Sequence, residues 1–407
     1  MCYNIPMTLS EELAWRGFLA QNTFDNASDL DKETRKFYLG CDPSADSLTI
    51  GNLAALMMAR CFMEHGYEPF LLAGGATGQI GDPKENEERQ LKSLDEIECN
   101  VRAIEAQYRR IVGDKITVVN NYDWFKDIKF LDFLREVGKQ FSMTQLLDRE
   151  FVKNRIGEGG AGISYAEFSY SLIQGYDFLH LFRKYGVSLQ ICGADQFGNC
   201  VSGLHLIKRL EGKDVDVWST PLIINKSTGK KFGKSEDGAV WLDAEKTSVY
   251  KFYQFWLNVD DAGVIDYMKI YTMLDRDTIE KIAADHTQNP GARTAQKILA
   301  REVTKIVHGA KQAENVERVT DVLFGGDLGD LSDDEIKILE QEIPTAAIGK
   351  TVVQILVESE IAKSNGEALR LIQQNAISLS GVKISADKEV NEKSLLKKGK
   401  NQFVLVK

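Results

Sequence analysis

Apolar and polar positions follow two different periods along this chain, and the changes between them mark its elements. An apolar run reaching Tyr38 and Leu39 reads as a strand, residues 40–47 as a turn of small and Asx residues, and 53–63 as an apolar-rich helix. Residues 68–73 read as a second buried strand running into a stretch, 74–83, with four glycines in eight residues. Short strands follow at 116–119, 187–192 and 220–225, the last leading into a lysine-bearing loop, 226–235. Helical spacing appears at 8–20, with Ser10 as the cap, at 92–112, and at 166–185. Between them, 128–157 gives two helical stretches more apolar than one flank of a sheet needs, which marks a candidate subunit interface. Glycines at 157–162 read as a hinge or loop.

Strands alternating with helices in the first half predict an α/β fold, a Rossmann-like doubly wound parallel sheet with its ligand outside the strand carboxyl ends. From 248 to 324 the pattern is helix after helix without strand signal, predicting an all-α domain. An acidic stretch ending at Pro344 reads as a linker. Beyond it, short helices at 352–357 and 367–374 and strands at 377–384 and 403–406 predict a small α+β domain. Ser364 and Glu367 form a capping-box pattern for its second helix. The expected division is 1–224 with a helical insertion at about 124–162, then 225–328, a linker at 329–344, and 345–407.

Composition narrows the classes. With 407 residues, two or three domains are expected, and no apolar run approaches the roughly 18 residues of a membrane span. The start lacks a basic-then-apolar signal, so the cytoplasm is the expected location. Net charge is −10, against a protein that coats DNA or RNA non-specifically. Residues 345–407 carry nine Lys and one Arg against six Asp and Glu, a net of +4, which leaves −14 upstream. A basic tail on an acidic body suggests a polyanion met at one end, with a solvated surface as the alternative. Six cysteines without CxxC spacing read as reduced, mostly buried thiols, and no metal site is expected.

Three stretches carry candidate chemistry. At Thr49-Ile50-Gly51-Asn52 a helix N-terminus with a glycine is suited to phosphate, unless it is an ordinary capped turn. On 166–185, Tyr170, Gln174 and Asp177 fall at i, i+4 and i+7, one stripe of polar tips. Asp177 then either meets a ligand or is hydrogen-bonded within the fold. Asp195, at a strand terminus, suits ribose hydroxyls, and Lys230, Lys231 and Lys234 can close over a triphosphate unless they form a solvated hairpin tip.

The segments YLGCDPSADSLTIGN (38–52), GGATGQIGDP (74–83), EFSYSLIQGYDF (167–178), LQICGADQFGN (189–199) and KFGKSEDGAVWLD (231–243), in this order and spacing, resemble the bacterial tyrosyl-tRNA synthetases over essentially the whole chain. AKSNGEALRLIQQNAISLSGVKI resembles the small RNA-binding domain shared with a ribosomal protein. The resemblance implies a class I synthetase, a homodimer joined through the insertion, with L-tyrosine, ATP accompanied by Mg2+, and tRNA(Tyr) as partners. It implies Tyr38 and Asp177 at the phenol, Tyr170, Gln174 and Asp82 at the α-ammonium, and Gln196 and Asn121 at pocket positions. On the nucleotide side it implies Gly40, Asp42, Ser44, Gly51, Asn52, Gly193 and Asp195, with Lys231, Lys234 and Ser235 as the mobile signature loop. One departure stands out: the helix-end signature of the family begins with histidine, and here the residue is Thr49. That keeps open a non-catalytic RNA-binding paralogue as the alternative, and a small-molecule adenylyl transferase on the same fold as a second. A tryptophan enzyme is disfavoured because Tyr38 with Asp177 suits a phenol better than an indole.

Overall fold

The computed structural model describes residues 7–83, 90–147, 150–157, 160–235, 238–325, 328–399 and 402–407. Its central sheet is built from Gln21–Asn22 (β1), Lys36–Cys41 (β2), Glu68–Ala73 (β3), Thr117–Asn120 (β4), Leu189–Gly193 (β5) and Asp216–Thr220 (β6), in the order β1-β6-β5-β2-β3-β4. β2 to β6 run parallel, and β1 closes one edge antiparallel to β6. Phe37, Leu71, Leu189 and Ile191 are fully buried, as parallel strands covered on both faces require. The strand order reverses between β2 and β5, so their carboxyl ends diverge and leave a crevice there.

The last strand of this sheet lies earlier than the 220–225 expected. β6 stops at Thr220 because Pro221 has no N–H to continue the ladder, and beyond it only the bridge between Ile224 and Lys231 remains. The helices are Leu9–Arg16 (α1), Ile50–Glu64 (α2), Leu94–Val112 (α3), Tyr122–Phe125 (α4), Phe130–Glu136 (α5), Met143–Leu147 (α6), Glu150–Ile156 (α7), Tyr165–Tyr185 (α8) and Phe197–Glu211 (α9). α1 is capped by Thr8, not Ser10: Thr8 and Glu11 exchange a capping box, while the Ser10 amide and hydroxyl both donate to Asp31. α1 ends at Gly17, whose φ of 89° stops it short of residue 20.

The chain divides into two compact units, 1–247 with 259–299, and 248–258 with 300–407. In the first, the buried Arg16 guanidinium donates to the carbonyls of Lys269, Thr272 and Leu274, fastening the stretch after Val264–Tyr271 to α1. Part of the helical run therefore packs with the sheet. Arg276–Gln288 is a further helix there that the sequence pattern did not single out.

In the second unit, Ile377–Leu379, Val382–Lys383, Ser394–Lys398, Gln402–Val406 and Thr345–Ala346 form a five-stranded sheet packed on Val352–Glu358 and Asn365–Gln373. Ser394–Lys398 went unread in the sequence because two lysines end it. Ser364 accepts from the Glu367 amide as the capping pattern predicts, while the Glu367 carboxylate reaches back to the Lys363 amide. The expected linker is instead partly a helix, Asp333–Glu342. Ser332 and Glu335 cap it, and Ile336 and Leu339 join a core with Val319, Leu323, Leu395 and Phe403. Acidic residues on its outer face concealed an apolar i, i+3 pair.

Leu339→Ala is expected to destabilise this unit by about 2–5 kcal/mol, read by urea unfolding of the full chain. An unchanged midpoint would mean that 333–342 does act as a tether.

Candidate functional site

The crevice at the strand reversal is a cavity of about 530 Å³, walled by the ends of β2 and β5, the first turn of α2, the polar stripe of α8 and the loop after Thr220. It is lined by Tyr38, Gly40, Asp42, Ser44, Thr49, Gly51, Asn52, Asp82, Tyr170, Gln174, Asp177, Gly193, Asp195, Gln196 and Lys231, which brings nearly every candidate residue to one space. Lys234 pairs through its backbone with Ala239, but its side chain and that of Ser235 lie outside the described residues.

One end of the cavity is arranged around Asp177. Helical spacing from Tyr170 points it inward, and its oxygens accept from Trp124 Nε1 at 3.0 Å and Asn121 Nδ2 at 3.1 Å. Burial pushes its carboxyl well above the usual carboxylate range, outweighing the two hydrogen bonds that favour the ion. Tyr38, fully buried with its ring 5.2 Å from that of Phe178, makes no hydrogen bond of normal geometry through its hydroxyl; burial pushes its phenol far up, and the nearby Gln190 side chain partly offsets this. Gln174 and Gln190 likewise leave their Oε1 atoms unpaired. Buried polar atoms are normally satisfied, so several unpaired ones around one cavity describe a surface shaped for a polar ligand. A hydroxylated aromatic ring fits it: its oxygen can donate to a carboxylate and accept from a phenol at once.

Asn121 is not a pocket wall. It is fully buried behind Asp177, where Oδ1 accepts from the Ala76 amide at 2.6 Å and Nδ2 also reaches Thr77 Oγ1. Trp124 and Gln190 were missed in the sequence. An indole needs a partner when buried, and a lone glutamine in an apolar strand is the same kind of signal.

The middle of the cavity is a second polar cluster. Tyr170 donates to Asp42 Oδ2 at 2.7 Å, and burial with the neighbouring Asp42 charge pushes its phenol far up. Asp82 accepts from Gln196 Nε2 at 2.8 Å and Asn199 Nδ2 at 3.3 Å. Asp42, expected beside phosphates, is thus bonded to a residue of the α-ammonium set. The glycine-rich stretch serves this cluster: a Cβ on Gly74 would lie 2.5 Å from Asp42 Oδ1, and one on Gly75 2.3 Å from Asn120 Oδ1. At these two glycines it is protein side chains that come close to the backbone.

At the other end, Thr49 caps α2. Its hydroxyl and its amide both engage Asn52 Oδ1, at 2.9 and 3.0 Å, and Asn52 Nδ2 turns to Cys41 Sγ. Ile50 N–H donates to the Val240 carbonyl. Part of the helix end expected to face an anion is therefore already engaged. The lysine loop is anchored through buried Phe232, stacked on Tyr267 with ring centroids 4.1 Å apart, and Lys226 pairs with Asp266. Lys231 is exposed at the cavity rim.

A model of the class I tRNA synthetases (W and Y) matches residues 30–325, and one of the tyrosine–tRNA ligase SYY-like C-terminal domain matches 335–407. A tyrosine–tRNA ligase of Streptococcus thermophilus is 43% identical over 420 residues, covering 98% of this chain and all of its own. One of Staphylococcus haemolyticus is 40% identical and covers 98% of each chain. Among solved structures, a C-terminally truncated mitochondrial tyrosyl-tRNA synthetase of Aspergillus nidulans is 28% identical with a TM-score of 0.70, covering 78% of this chain and 95% of its own. Tyrosyl-tRNA synthetase of Archaeoglobus fulgidus, complexed with L-tyrosine, shares the fold at 14% identity with a TM-score of 0.57, covering 75% and 99%.

Because the fold favours the protonated Asp177 carboxyl, its contribution to stability is complete below the unfolded carboxylate value and is lost as pH rises through the folded one. Carbon NMR of the Asp177 carboxyl in the free protein, assigned with Asp177→Asn, is expected to show a midpoint above about 3.9. A midpoint at or below that value would contradict the dominance of burial.

Proposed function

The chain belongs to the class I tRNA synthetases of the tryptophan and tyrosine group, and from that premise we propose how its cavity carries out the reaction of a tyrosine–tRNA ligase. L-Tyrosine and ATP form tyrosyl-adenylate and diphosphate, and the tyrosyl group then passes to a hydroxyl at the 3′ end of tRNA(Tyr) with AMP as the leaving group. The observation that carries this reading is the pairing of an unsatisfied Tyr38 hydroxyl with the buried Asp177 carboxyl in one cavity. A tyrosine phenol completes both groups. Phenylalanine leaves both unpaired, the discrimination rule for which tyrosyl-tRNA synthetase is itself the standard example.

The ammonium of the substrate fits the acidic middle of the cavity, with Tyr170, Gln174 and Asp82 as its partners and Gln196 holding Asp82 in place. This directs the substrate carboxylate towards the nucleotide end. There Gly40, Gly51, Asn52, Gly193 and Asp195 take the nucleotide, and Mg2+ enters with its phosphates. The carboxylate attacks the α-phosphorus and diphosphate leaves. No general base is required, because the nucleophile is already ionised, so the work falls to positioning and to stabilising charge. Ser44, Lys231 and Lys234 serve that charge. Thr49 is neutral and its hydroxyl is engaged with Asn52, so it is the weakest member of the set.

The wider assignments are proposed on the same premise. Residues 1–224 form the catalytic part, 225–328 carry the lysine loop and helices, and 345–407 bind RNA with their net positive charge. Two copies join through the insertion, where Phe130, Leu131, Met143 and Ile156 are exposed. The cytoplasm is the proposed location, in keeping with the bacterial tyrosine–tRNA ligases that the chain matches. Among the described residues no helix is long and apolar enough to cross a membrane.

Exchange of labelled pyrophosphate into ATP is expected with L-tyrosine and not with phenylalanine or tryptophan, and Tyr38→Phe should lower the tyrosine-dependent kcat/KM about tenfold, the size of one hydrogen bond. No exchange with tyrosine would favour the non-catalytic paralogue instead. Thr49→His is expected to speed single-turnover adenylate formation, since one added donor at a developing charge contributes up to about 2.7–4 kcal/mol. An unchanged or slower rate would show that capping by Thr49 matters more than charge.

A further inference from the structure

Two hydroxyls stand side by side at the end of β6, and only one of them is used by the fold. Ser219 Oγ donates to the Gln21 carbonyl at 2.8 Å and accepts from the Gln21 amide at 3.0 Å. Thr220, the next residue and hence on the opposite face of the strand, is only 4% exposed, lines the cavity, and makes no hydrogen bond through Oγ1. A hydroxyl shielded from water without a partner is costly, and valine has the same shape without that cost. The reaction proposed above does not call on this group.

The register of the sheet indicates what Thr220 meets. It is the partner of Gly193 in the parallel strand β5, so its side chain leaves the sheet on the same face as a Cβ on Gly193 would. Such a Cβ would lie 2.6 Å from Asp195 Oδ1. The Asp195 carboxylate therefore lies over Gly193, one strand across from Thr220, where neighbouring backbones are about 4.8 Å apart. Asp195 also lines the cavity and is exposed. Ala54 and Ala55 of α2, and Leu222 just beyond β6, wall the same cavity with side chains that offer neither a donor nor an acceptor.

We propose that Thr220 is a nucleotide-binding residue, whose hydroxyl pairs with one hydroxyl of the ribose diol while Asp195 accepts from the other. This rests on the reading of the cavity as an ATP site and adds a specificity-determining contact to it. Each hydroxyl of a vicinal diol can donate and accept. A carboxylate only accepts and a threonine hydroxyl does either, so the two protein groups satisfy the diol without conflict. Bound ribose supplies the partner that Oγ1 lacks in the free protein, whereas a nucleotide without that hydroxyl leaves it unpaired. A site built in this way selects the ribonucleotide over the matching deoxynucleotide.

The test measures, by titration calorimetry without tyrosine, the dissociation constants of ATP, 2′-deoxy-ATP and 3′-deoxy-ATP for the full-length protein and for Thr220→Val and Thr220→Ser. The unaltered protein is expected to bind ATP more tightly than either deoxy analogue. Thr220→Val should weaken ATP about three- to tenfold, the size of one hydrogen bond. One deoxy analogue, the one lacking the hydroxyl that Thr220 meets, should bind the valine variant as well as it binds the unaltered protein. Thr220→Ser should keep ATP affinity. Because no bond within the protein is lost, Thr220→Val should leave the urea midpoint no lower and the affinity for L-tyrosine unchanged. Equal ATP affinity of Thr220→Val and the unaltered protein, equal weakening of all three nucleotides, or a lowered urea midpoint each overturns the proposal. Failure of the unaltered protein to form tyrosyl-adenylate overturns the functional reading alone, since the nucleotide affinities are read without tyrosine.

Discussion

The site depends on keeping a carboxyl group almost wholly shielded from water. Asp177 is held there by an indole N–H and an amide N–H, each itself fixed by the fold. Asn121 is the more constrained of the two, bonded at once to the Ala76 amide, Thr77 and Asp177. Together these place an acceptor opposite the unpaired Tyr38 hydroxyl, at the price of a carboxyl whose ionisation the free protein disfavours. Such local instability is what a site retains when its ligand supplies the missing contacts.

The remainder of the molecule can be followed outward from that point. β2 presents Tyr38 and β5 presents Gln190 because parallel strands diverge where their order reverses. α8, capped at Ser164 and stopped at Gly186, sets Tyr170, Gln174 and Asp177 along one face at regular spacing. Gly74 and Gly75 let Asp42 and Asn120 approach the backbone, so the second polar cluster sits directly beside the first. The nucleotide end is looser in chemistry: a threonine cap, an amide turned to a thiol, and a lysine exposed at the rim.

Much of this was legible in the chain itself. The parallel strands showed as apolar runs, α8 as a polar stripe on an apolar helix, and the ordered motifs brought the same residues together that the cavity does. What was misread had local physical causes. The strand expected at 220–225 includes Pro221, whose missing N–H ends the ladder one residue earlier. The helix Asp333–Glu342 was hidden by its acidic exterior, although Ser332 and Glu335 carry a capping box. Asn121 and Trp124 could not be assigned behind Asp177, because their contacts join positions 53 to 56 residues apart.

The measurement that bears most directly on the central pairing is a crystal structure of the protein with L-tyrosine bound. The account predicts the phenol oxygen within about 2.6–3.0 Å of both the Tyr38 hydroxyl and an Asp177 carboxyl oxygen, with the ammonium group among Tyr170, Gln174 and Asp82. A tyrosine ring seated elsewhere, with the Tyr38 hydroxyl still unpaired and Asp177 bonded only to Asn121 and Trp124, would contradict it.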